Sequence, residues 1–121
     1  MRPNGLAFSA DESQLIVADM SAVEFEKSGL HHLVAFDVVG KQLENRRTIA
    51  EISPGIPDGF CIDQQNVIYC SCETGLVILL MDGTLLGRVL LDKTTSNCTF
   101  GADPKTLFIT ATNSLYRLTC Y

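Results

Sequence analysis

Basic residues are scarce in this sequence, and their scarcity limits the partners that it can bind. Lysine and arginine number 9 against 14 aspartate and glutamate residues, which gives a formal net charge of −5. Arg46-Arg47 is the only pair of adjacent basic residues. A nucleic-acid partner needs clustered positive charge to neutralise its phosphates. The composition therefore predicts no nucleic-acid partner.

Long apolar runs are also missing. No segment approaches the roughly 18 to 20 apolar residues that cross a bilayer. The first residues, Met1 to Gly5, lack the apolar stretch of a signal peptide. From the sequence we therefore expect a soluble, cytoplasmic protein with no membrane partner.

Several motifs of catalysis and metal binding are absent from the sequence. It has no GxSxG elbow, no glycine-rich phosphate loop and no zinc-protease helix, so serine hydrolases, nucleotide enzymes and zincins find no support. The five cysteines are an odd number without CxxC pairs, which disfavours a disulfide framework and a zinc knuckle. Cys70 and Cys72 would share one face of a strand, and we expect both to pack in a core.

What the sequence does contain is a series of short apolar segments separated by turn residues. With 121 residues, 46% of them hydrophobic and 19% charged, it suffices for one globular domain. The segments are β-branched or aromatic and show no sustained helical stripe, so the predicted fold class is all-β. The predicted strands are Gly5 to Phe8, Gln14 to Ala18, His32 to Val38, Arg46 to Ile52, Gly59 to Ile62, Val67 to Ser71, Leu76 to Met81, Leu85 to Leu91, Asn97 to Phe100, Thr106 to Thr110 and Ser114 to Leu118.

A repeat organises these strands into three units. Asn4-Gly5 and Asp58-Gly59 each follow a proline and open a pair of strands, and Asn97 opens a third unit that lacks the glycine. Asn4 and Asp58 are 54 residues apart, and Asp58 and Asn97 are 39 apart. Periods of about 40 to 50 residues with several strands each are typical of propeller blades. The sequence thus predicts an incomplete β-propeller of two four-stranded blades and most of a third, with open edges that invite self-association.

The motifs in this repeat resemble those of the SMP-30/gluconolactonase/LRE-like (regucalcin-like) family. The P-N-G-L segment at Pro3 to Leu6 and the I-P-D-G segment at Ile56 to Gly59 occur in the family's order. The resemblance implies that residues 1–121 are the C-terminal half of a six-bladed propeller with a divalent cation in its channel. It implies Asn4 as a metal ligand and Asp58 as both metal ligand and general base. The family's glutamate ligand has no counterpart here.

The resemblance further implies that the substrate is a sugar-type lactone, hydrolysed beside the cation. Amide and carboxylate oxygens are hard ligands suited to Ca²⁺, Mg²⁺ or Mn²⁺ and tolerant of Zn²⁺. A bound cation would polarise the lactone carbonyl while Asp58 deprotonates the attacking water. The alternative function is a non-catalytic propeller fragment that binds calcium or serves as an interaction surface.

Simpler interpretations exist for the individual polar residues. Asn-Gly and Asp-Gly are common turn pairs, and the amide of Asn97 could bond backbone rather than a ligand. Asp19 is a weak site candidate, because an acid at a strand end is expected to be solvated. The adjacent His31 and His32 would point to opposite faces of a strand, and we expect them at a solvated loop edge. That loop is predicted to run from Ser21 to His31.

Overall fold

The computed structural model describes residues 2–21 and 31–120, which form eleven antiparallel strands in three sheets. The first sheet has the order β1-β2-β3-β4, the second β5-β6-β7-β8 and the third β9-β10-β11. The strands are β1 Pro3–Phe8, β2 Gln14–Asp19, β3 His32–Val39, β4 Gln42–Glu51, β5 Phe60–Ile62, β6 Ile68–Cys72, β7 Gly75–Leu79, β8 Leu85–Leu90, β9 Thr95–Phe100, β10 Thr106–Ala111 and β11 Ser114–Thr119. In these ranges no helix is long and apolar enough to cross a membrane. The predicted all-β fold and the grouping of strands are confirmed.

Tight turns keep neighbouring strands adjacent in sequence and in space. The predicted Asp82-Gly83 turn is present: Gly83 has a φ of 89°, and Asp82 Oδ1 accepts a hydrogen bond from the Thr84 N–H at 2.9 Å. Thr112 and Asn113 form a two-residue loop between the paired residues Ala111 and Ser114. Such loops pair consecutive strands without crossovers, as the observed sheet orders require.

Strand β4 corrects one sequence-based boundary. It was predicted from Arg46, but it begins at Gln42 and pairs with β3 from the Val39–Gln42 hairpin onward. Its first four residues are exposed, and only Leu43 among them is apolar, so they show no alternation of apolar and polar residues. Asn45, with a φ of 52°, lies where the β3–β4 register shifts, which identifies a β-bulge. The predicted loop from Ser21 to His31 lies, apart from its two ends, outside the described residues.

The first core lies between the first and second sheets. Alternate residues of each strand point into it, as the period of two demands. Both Cys70 and Cys72 lie in this core, as predicted. Its fully buried members are Ile16, Ala18, Leu33, Ile52, Ile68 and Cys70.

The second core lies between the second and third sheets and takes the opposite faces of β5, β6 and β7. Leu76 of the second sheet packs there with Leu107 and Ile109 of the third. At its edge, Tyr69 and Phe100 form a T-shaped ring pair with centroids 5.1 Å apart. The second sheet is therefore covered on both faces. The first strands of the three sheets, β1, β5 and β9, lie side by side, with β5 in the middle.

Candidate functional site

The side chains of Asn4 and Asp58 meet where the first strands of the first two sheets come together. Asn4 Nδ2 donates a hydrogen bond to Asp58 Oδ1 at 2.6 Å across 54 residues of sequence. Asn4 is exposed and Asp58 is half-buried. The structure thus brings together the two residues that the sequence singled out. Their roles as metal ligands and base stay a prediction.

Backbone hydrogen bonds fix the position of Asp58. The Asp58 N–H donates to the carbonyl of Ser71 at 3.2 Å, and the Gly59 N–H donates to the carbonyl of Ser96 at 2.8 Å. Ser71 is fully buried, and both its N–H and its hydroxyl donate to the carbonyl of Gly59. The backbone at Asp58 and Gly59 is therefore fixed by hydrogen bonds to the second and third sheets, unlike that of a turn exposed to solvent.

Two glycines allow this close approach of first strands. A Cβ at Gly5 would lie 2.6 Å from the carbonyl oxygen of Asp58, and one at Gly59 would lie 2.7 Å from that of Ser96. Real Cβ atoms do not come so near to backbone oxygens, so any larger residue would push the strands apart. Gly5 and Gly59 thus have a packing role, which the turn interpretation of Asn-Gly and Asp-Gly did not include.

Asn97 occupies the corresponding place in the third sheet, and its amide bonds backbone. Its Oδ1 accepts a hydrogen bond from the Cys98 N–H at 2.9 Å, while the side chain lies against Gly59. This agrees with the backbone-bonding alternative raised from the sequence. Asn97 therefore supports the strand beside Asp58.

A cavity opens on the other side of Asp58. Its volume is about 370 Å³, and it also exposes Glu73, a carboxylate that the sequence analysis missed. Glu73 precedes Thr74-Gly75 in the β6–β7 hairpin and looks like an ordinary turn residue, so no sequence signal distinguishes it. The cavity lining comprises Gly55, Ile56, Asp58, Cys72, Glu73, Thr94 and Thr95.

The donor chemistry of Asn4 and Asp58 fits a hard cation in part. One amide oxygen and one carboxylate are the ligand types that Ca²⁺ and Mg²⁺ prefer. Ca²⁺ takes six to eight oxygens, however. Within residues 2–21 and 31–120, no group of three or more histidine, cysteine, aspartate or glutamate side chains is placed to hold a metal. The two residues alone would therefore supply only part of a coordination sphere.

Asp19 and His32 correct the sequence-based expectation of solvated side chains. Asp19 is 1% exposed and His32 is 4% exposed, and His32 Nε2 lies 3.6 Å from Asp19 Oδ2. They are paired residues of β2 and β3, so the sheet itself buries both. Asp19 Oδ1 accepts hydrogen bonds from the Arg2 N–H at 2.7 Å and from the Ser21 N–H at 3.0 Å.

Burial has opposite consequences for the two groups. It raises the pKa of Asp19, but the hydrogen bonds from Arg2 and Ser21 outweigh it and hold that pKa below its ordinary value. Burial lowers the pKa of His32, and the carboxylate of Asp19 offsets this in part. Both effects favour an ionised Asp19 beside a neutral His32.

The neighbouring His31 is half-buried, and its Nε2 lies 2.7 Å from Glu51 Oε1.

Known proteins resemble this chain in sequence and in fold. The family described as SMP-30/Gluconolactonase/LRE-like region matches residues 1–113. Gluconolactonase of Zymomonas mobilis is 30% identical, with 97% of this chain and 34% of that protein covered. Regucalcin of Xenopus laevis is 32% identical, with 89% and 36% covered. The solved structure of a gluconolactonase from Xanthomonas campestris superposes with a TM-score of 0.84 at 38% identity, with 97% and 37% covered. The chain spans about a third of the length of these relatives.

Proposed function

The chain belongs to the SMP-30/gluconolactonase/LRE-like family, and from this membership we propose that it forms part of a metal-dependent hydrolase of sugar-type lactones. In this proposal residues 1–121 are a partial propeller domain, with the first two sheets as complete blades and the third as most of another. The small-molecule substrate is a lactone such as gluconolactone. The similarity to two gluconolactonases supports this substrate class.

The contact between Asn4 and Asp58 is the observation that supports the proposal best. Two polar side chains at equivalent positions of neighbouring sheets converge although they are 54 residues apart. Their hydrogen bond joins two sheets through polar groups that lie outside both apolar cores. The convergence is what a site shared between blades requires.

Asp58 has the geometry of a general base. Asn4 Nδ2 donates a hydrogen bond to Oδ1 of Asp58. Among the described residues no other group donates to this carboxylate, so Oδ2 is available to accept a proton. A water molecule at Oδ2 would lose its proton as its oxygen attacks the lactone carbonyl carbon. The ring C–O bond then breaks, and the proton held at Oδ2 passes to the leaving oxygen, which yields the hydroxy acid.

Asn4 and Asp58 would also hold the cation that the family resemblance implies, through one amide oxygen and one carboxylate oxygen. When bound there, a divalent cation supplies electrostatic stabilisation of the negative charge that develops on the carbonyl oxygen. Asn4 orients the carboxylate of Asp58 by its hydrogen bond. The adjoining cavity of about 370 Å³ falls in the size range of small-molecule sites and would admit the lactone ring.

A second candidate function is a non-catalytic calcium-binding or interaction fragment. It is favoured by the apolar side chains that the described sheets expose. Leu6 of β1 is 61% exposed and Leu115 of β11 is 70% exposed. Such faces are suited to packing against another protein surface, including a second copy of the chain. In this alternative the Asn4–Asp58 pair binds a cation weakly and no lactone is hydrolysed.

Calcium and manganese titration by calorimetry, run alongside gluconolactone hydrolysis at each metal, tests the proposal. The Asp58→Asn variant keeps the shape of the side chain but removes its charge and basicity. We expect it to lose metal binding and turnover together. Asp103→Asn is the matched control, because Asp103 is an exposed turn carboxylate on the third sheet that bonds the N–H of Lys105. It should retain both properties.

A chimera separates an incomplete site from a wrong assignment. In it, this chain replaces the matching third of the Xanthomonas campestris gluconolactonase. Turnover by the chimera that disappears with Asp58→Asn supports the hydrolase even where the chain alone is inactive. A folded chimera that binds the metal but hydrolyses no sugar lactone would contradict the hydrolase and favour the second candidate. Metal binding unchanged by Asp58→Asn would contradict the assignment of the site.

A further inference from the structure

Two cysteine thiols of neighbouring sheets lie in contact in the second core. Cys61 Sγ of β5 is 3.6 Å from Cys98 Sγ of β9, although the residues are 37 positions apart. Neither residue belongs to a CxxC motif, and neither takes part in the proposed hydrolysis. The juxtaposition arises from the stacking of the second sheet on the third.

The backbones around the two thiols are already joined. The Gly59 N–H donates to the carbonyl of Ser96 at 2.8 Å, two residues before Cys61 and Cys98 respectively. This hydrogen bond holds the two chain segments together just before the two thiols, which lie 3.6 Å apart. A disulfide needs an S–S distance of about 2.05 Å, so the sulfur atoms must approach by roughly 1.5 Å. Side-chain rotation and small strand adjustments can supply a movement of that size.

The two thiols differ in access and acidity. Cys61 is half-buried, whereas Cys98 is 6% exposed. The thiol–thiol contact with Cys98 lowers the pKa of Cys61, although burial acts in the opposite direction. The same contact and burial raise the pKa of Cys98, whose Sγ also donates to the carbonyl of Tyr69 at 3.1 Å. Cys61 is therefore the thiol that an oxidant attacks first, because it is more exposed and ionises more readily. Cys98 lies in contact with it and can act as the resolving thiol.

The remaining cysteines lack this arrangement. Cys70 and Cys72 are buried in the first core, and burial raises the pKa of Cys70. Cys120 is half-buried at the edge of the second core. It is a suitable comparison, because it also packs against the second core, and among the described residues no other thiol is in contact with it.

We propose that Cys61 and Cys98 are a redox-sensitive pair that forms a reversible disulfide when the protein is exposed to hydrogen peroxide. The Cys61 thiolate attacks one peroxide oxygen, the O–O bond breaks, and the other oxygen leaves as hydroxide that takes up a proton. The product is a sulfenic acid at Cys61. Cys98 sulfur then attacks the Cys61 sulfur, the S–O bond breaks, and the Cys98 proton leaves with the hydroxyl group as water. Two thiols lose two electrons in total, and one peroxide is reduced to two water molecules.

The disulfide would join the first strands of the second and third sheets near the candidate site. Cys61 follows Asp58 by three residues, and Cys98 adjoins Asn97. A covalent link here closes a loop of 37 positions and restrains the two sheets against separation. Oxidation is therefore expected to raise the urea midpoint of unfolding, and a dithiol reductant should reverse the shift.

The test treats the folded 121-residue chain with hydrogen peroxide at a few equivalents, then counts thiols after denaturation and maps linked peptides by mass spectrometry. We expect the count to fall from five to three, with one link between the peptide that contains Cys61 and the peptide that contains Cys98. Dithiothreitol should restore five thiols. A folded chain that keeps five thiols, or a link that joins two chains or includes Cys120, would overturn the proposal.

Variants separate the roles of the two sulfurs. Cys61→Ser should abolish the link. Cys98→Ser should instead leave oxygen on Cys61, detected as a sulfenic acid or its further oxidation products, because the resolving thiol is gone. Cys120→Ser is the matched control and should lose two thiols as the parent chain does. Circular dichroism establishes that each variant is folded, and the peptide map of the parent chain decides the proposal even where a variant does not fold. Oxidation of Cys98→Ser at Cys120 instead of Cys61 would contradict the assigned order.

Discussion

His32 Nε2 lies 3.6 Å from Asp19 Oδ2. The two residues are paired across β2 and β3, and both side chains are buried. Among the described residues, Nε2 has no hydrogen-bond partner. The distance is too long for a good hydrogen bond. Protonation of this imidazole in the folded state therefore costs free energy, because burial disfavours the charged form more than the carboxylate of Asp19 favours it.

This pair predicts a loss of stability in mildly acidic solution. Burial lowers the pKa of His32 in the folded chain below the value of about 6.5 for the unfolded chain. The unfolded chain thus binds a proton first as the pH falls. Stability should be constant above about pH 6.5 and should decline below it until the folded-state pKa is reached, by at most about 1.4 kcal/mol per pH unit for one proton.

Urea unfolding at a series of pH values measures this decline. His32→Gln removes the titrating group and should flatten the profile below about pH 6.5. His31→Gln retains His32, and the decline should persist. Asp19 does not contribute in this window, because its pKa is lowered below 3.8 and its stabilisation is lost only as the pH falls further. An unchanged profile in His32→Gln would refute the assignment.

The second prediction concerns the packing of first strands. Gly59→Ala places a Cβ against the carbonyl of Ser96 and the amide of Asn97. Since both belong to a neighbouring sheet, the strands must separate, and we expect a loss of about 1 to 3 kcal/mol in the free energy of unfolding. Gly87→Ala is the control, because nothing lies within 4 Å of its added Cβ. That change should be neutral or stabilising by up to about 1 kcal/mol. Equal losses in the two variants would contradict the steric explanation.

The third prediction concerns Thr95, a buried hydroxyl that joins the second and third sheets. Its Oγ1 donates toward the carbonyls of Cys72, at 2.7 Å, and Gly75, and it accepts from the Cys72 N–H at 3.1 Å. Thr95→Val keeps the shape and leaves these backbone groups without the hydroxyl. We expect a loss of about 2 kcal/mol or more, since each buried group left unpaired costs about 1 to 3 kcal/mol.

Thermal and urea unfolding of Thr95→Val and Thr99→Val make the comparison. Thr99 lies on the same strand but is exposed, and its hydroxyl has one long contact of 3.4 Å with the carbonyl of Phe100. The Thr99 change should stay within about 0.5 kcal/mol. If Thr95→Val were no more destabilising than Thr99→Val, the bridging hydroxyl would not stabilise the junction between the sheets.

The repeat made the strands and the position of Asp58 predictable from the sequence. Asn4-Gly5 and Asp58-Gly59 mark the starts of equivalent strands, and alternation of apolar residues indicates the faces of those strands. The burial of Asp19 and His32 was not predictable in this way. Both lie at strand ends, where polar residues are usually solvated, and their burial depends on cross-strand pairing and on the Arg2 backbone.

Contacts between sheets were the least accessible to sequence reasoning. Cys61 and Cys98 share no motif, and their contact depends on the stacking of β5 on β9. Glu73 reaches the cavity beside Asp58 because the β6–β7 hairpin places it there. Local patterns specify which face of a strand is apolar, but they do not specify which residue of another sheet that face meets.

The last prediction concerns self-association through exposed sheet faces. Leu6 on β1 and Leu115 on β11 are 61% and 70% exposed and lie on the two outer sheets. Burial of one leucine stabilises an interface by about 1.5 to 3 kcal/mol, so a lysine there should weaken association at least tenfold. We expect the chain to associate reversibly with rising concentration, and Leu115→Lys or Leu6→Lys to shift it toward the monomer.

Sedimentation velocity over a range of concentrations measures this shift. Val39→Lys is the matched control, because Val39 is 51% exposed but lies at the tip of the β3–β4 hairpin, away from both faces. It adds the same charge, so a general effect of net charge would act on it equally. Association that responds equally to all three lysines would reflect charge alone. Association that responds to Leu6 and Leu115 but not to Val39 would identify the outer faces of the first and third sheets as the contact surfaces, since only there does the charge replace a buried apolar contact.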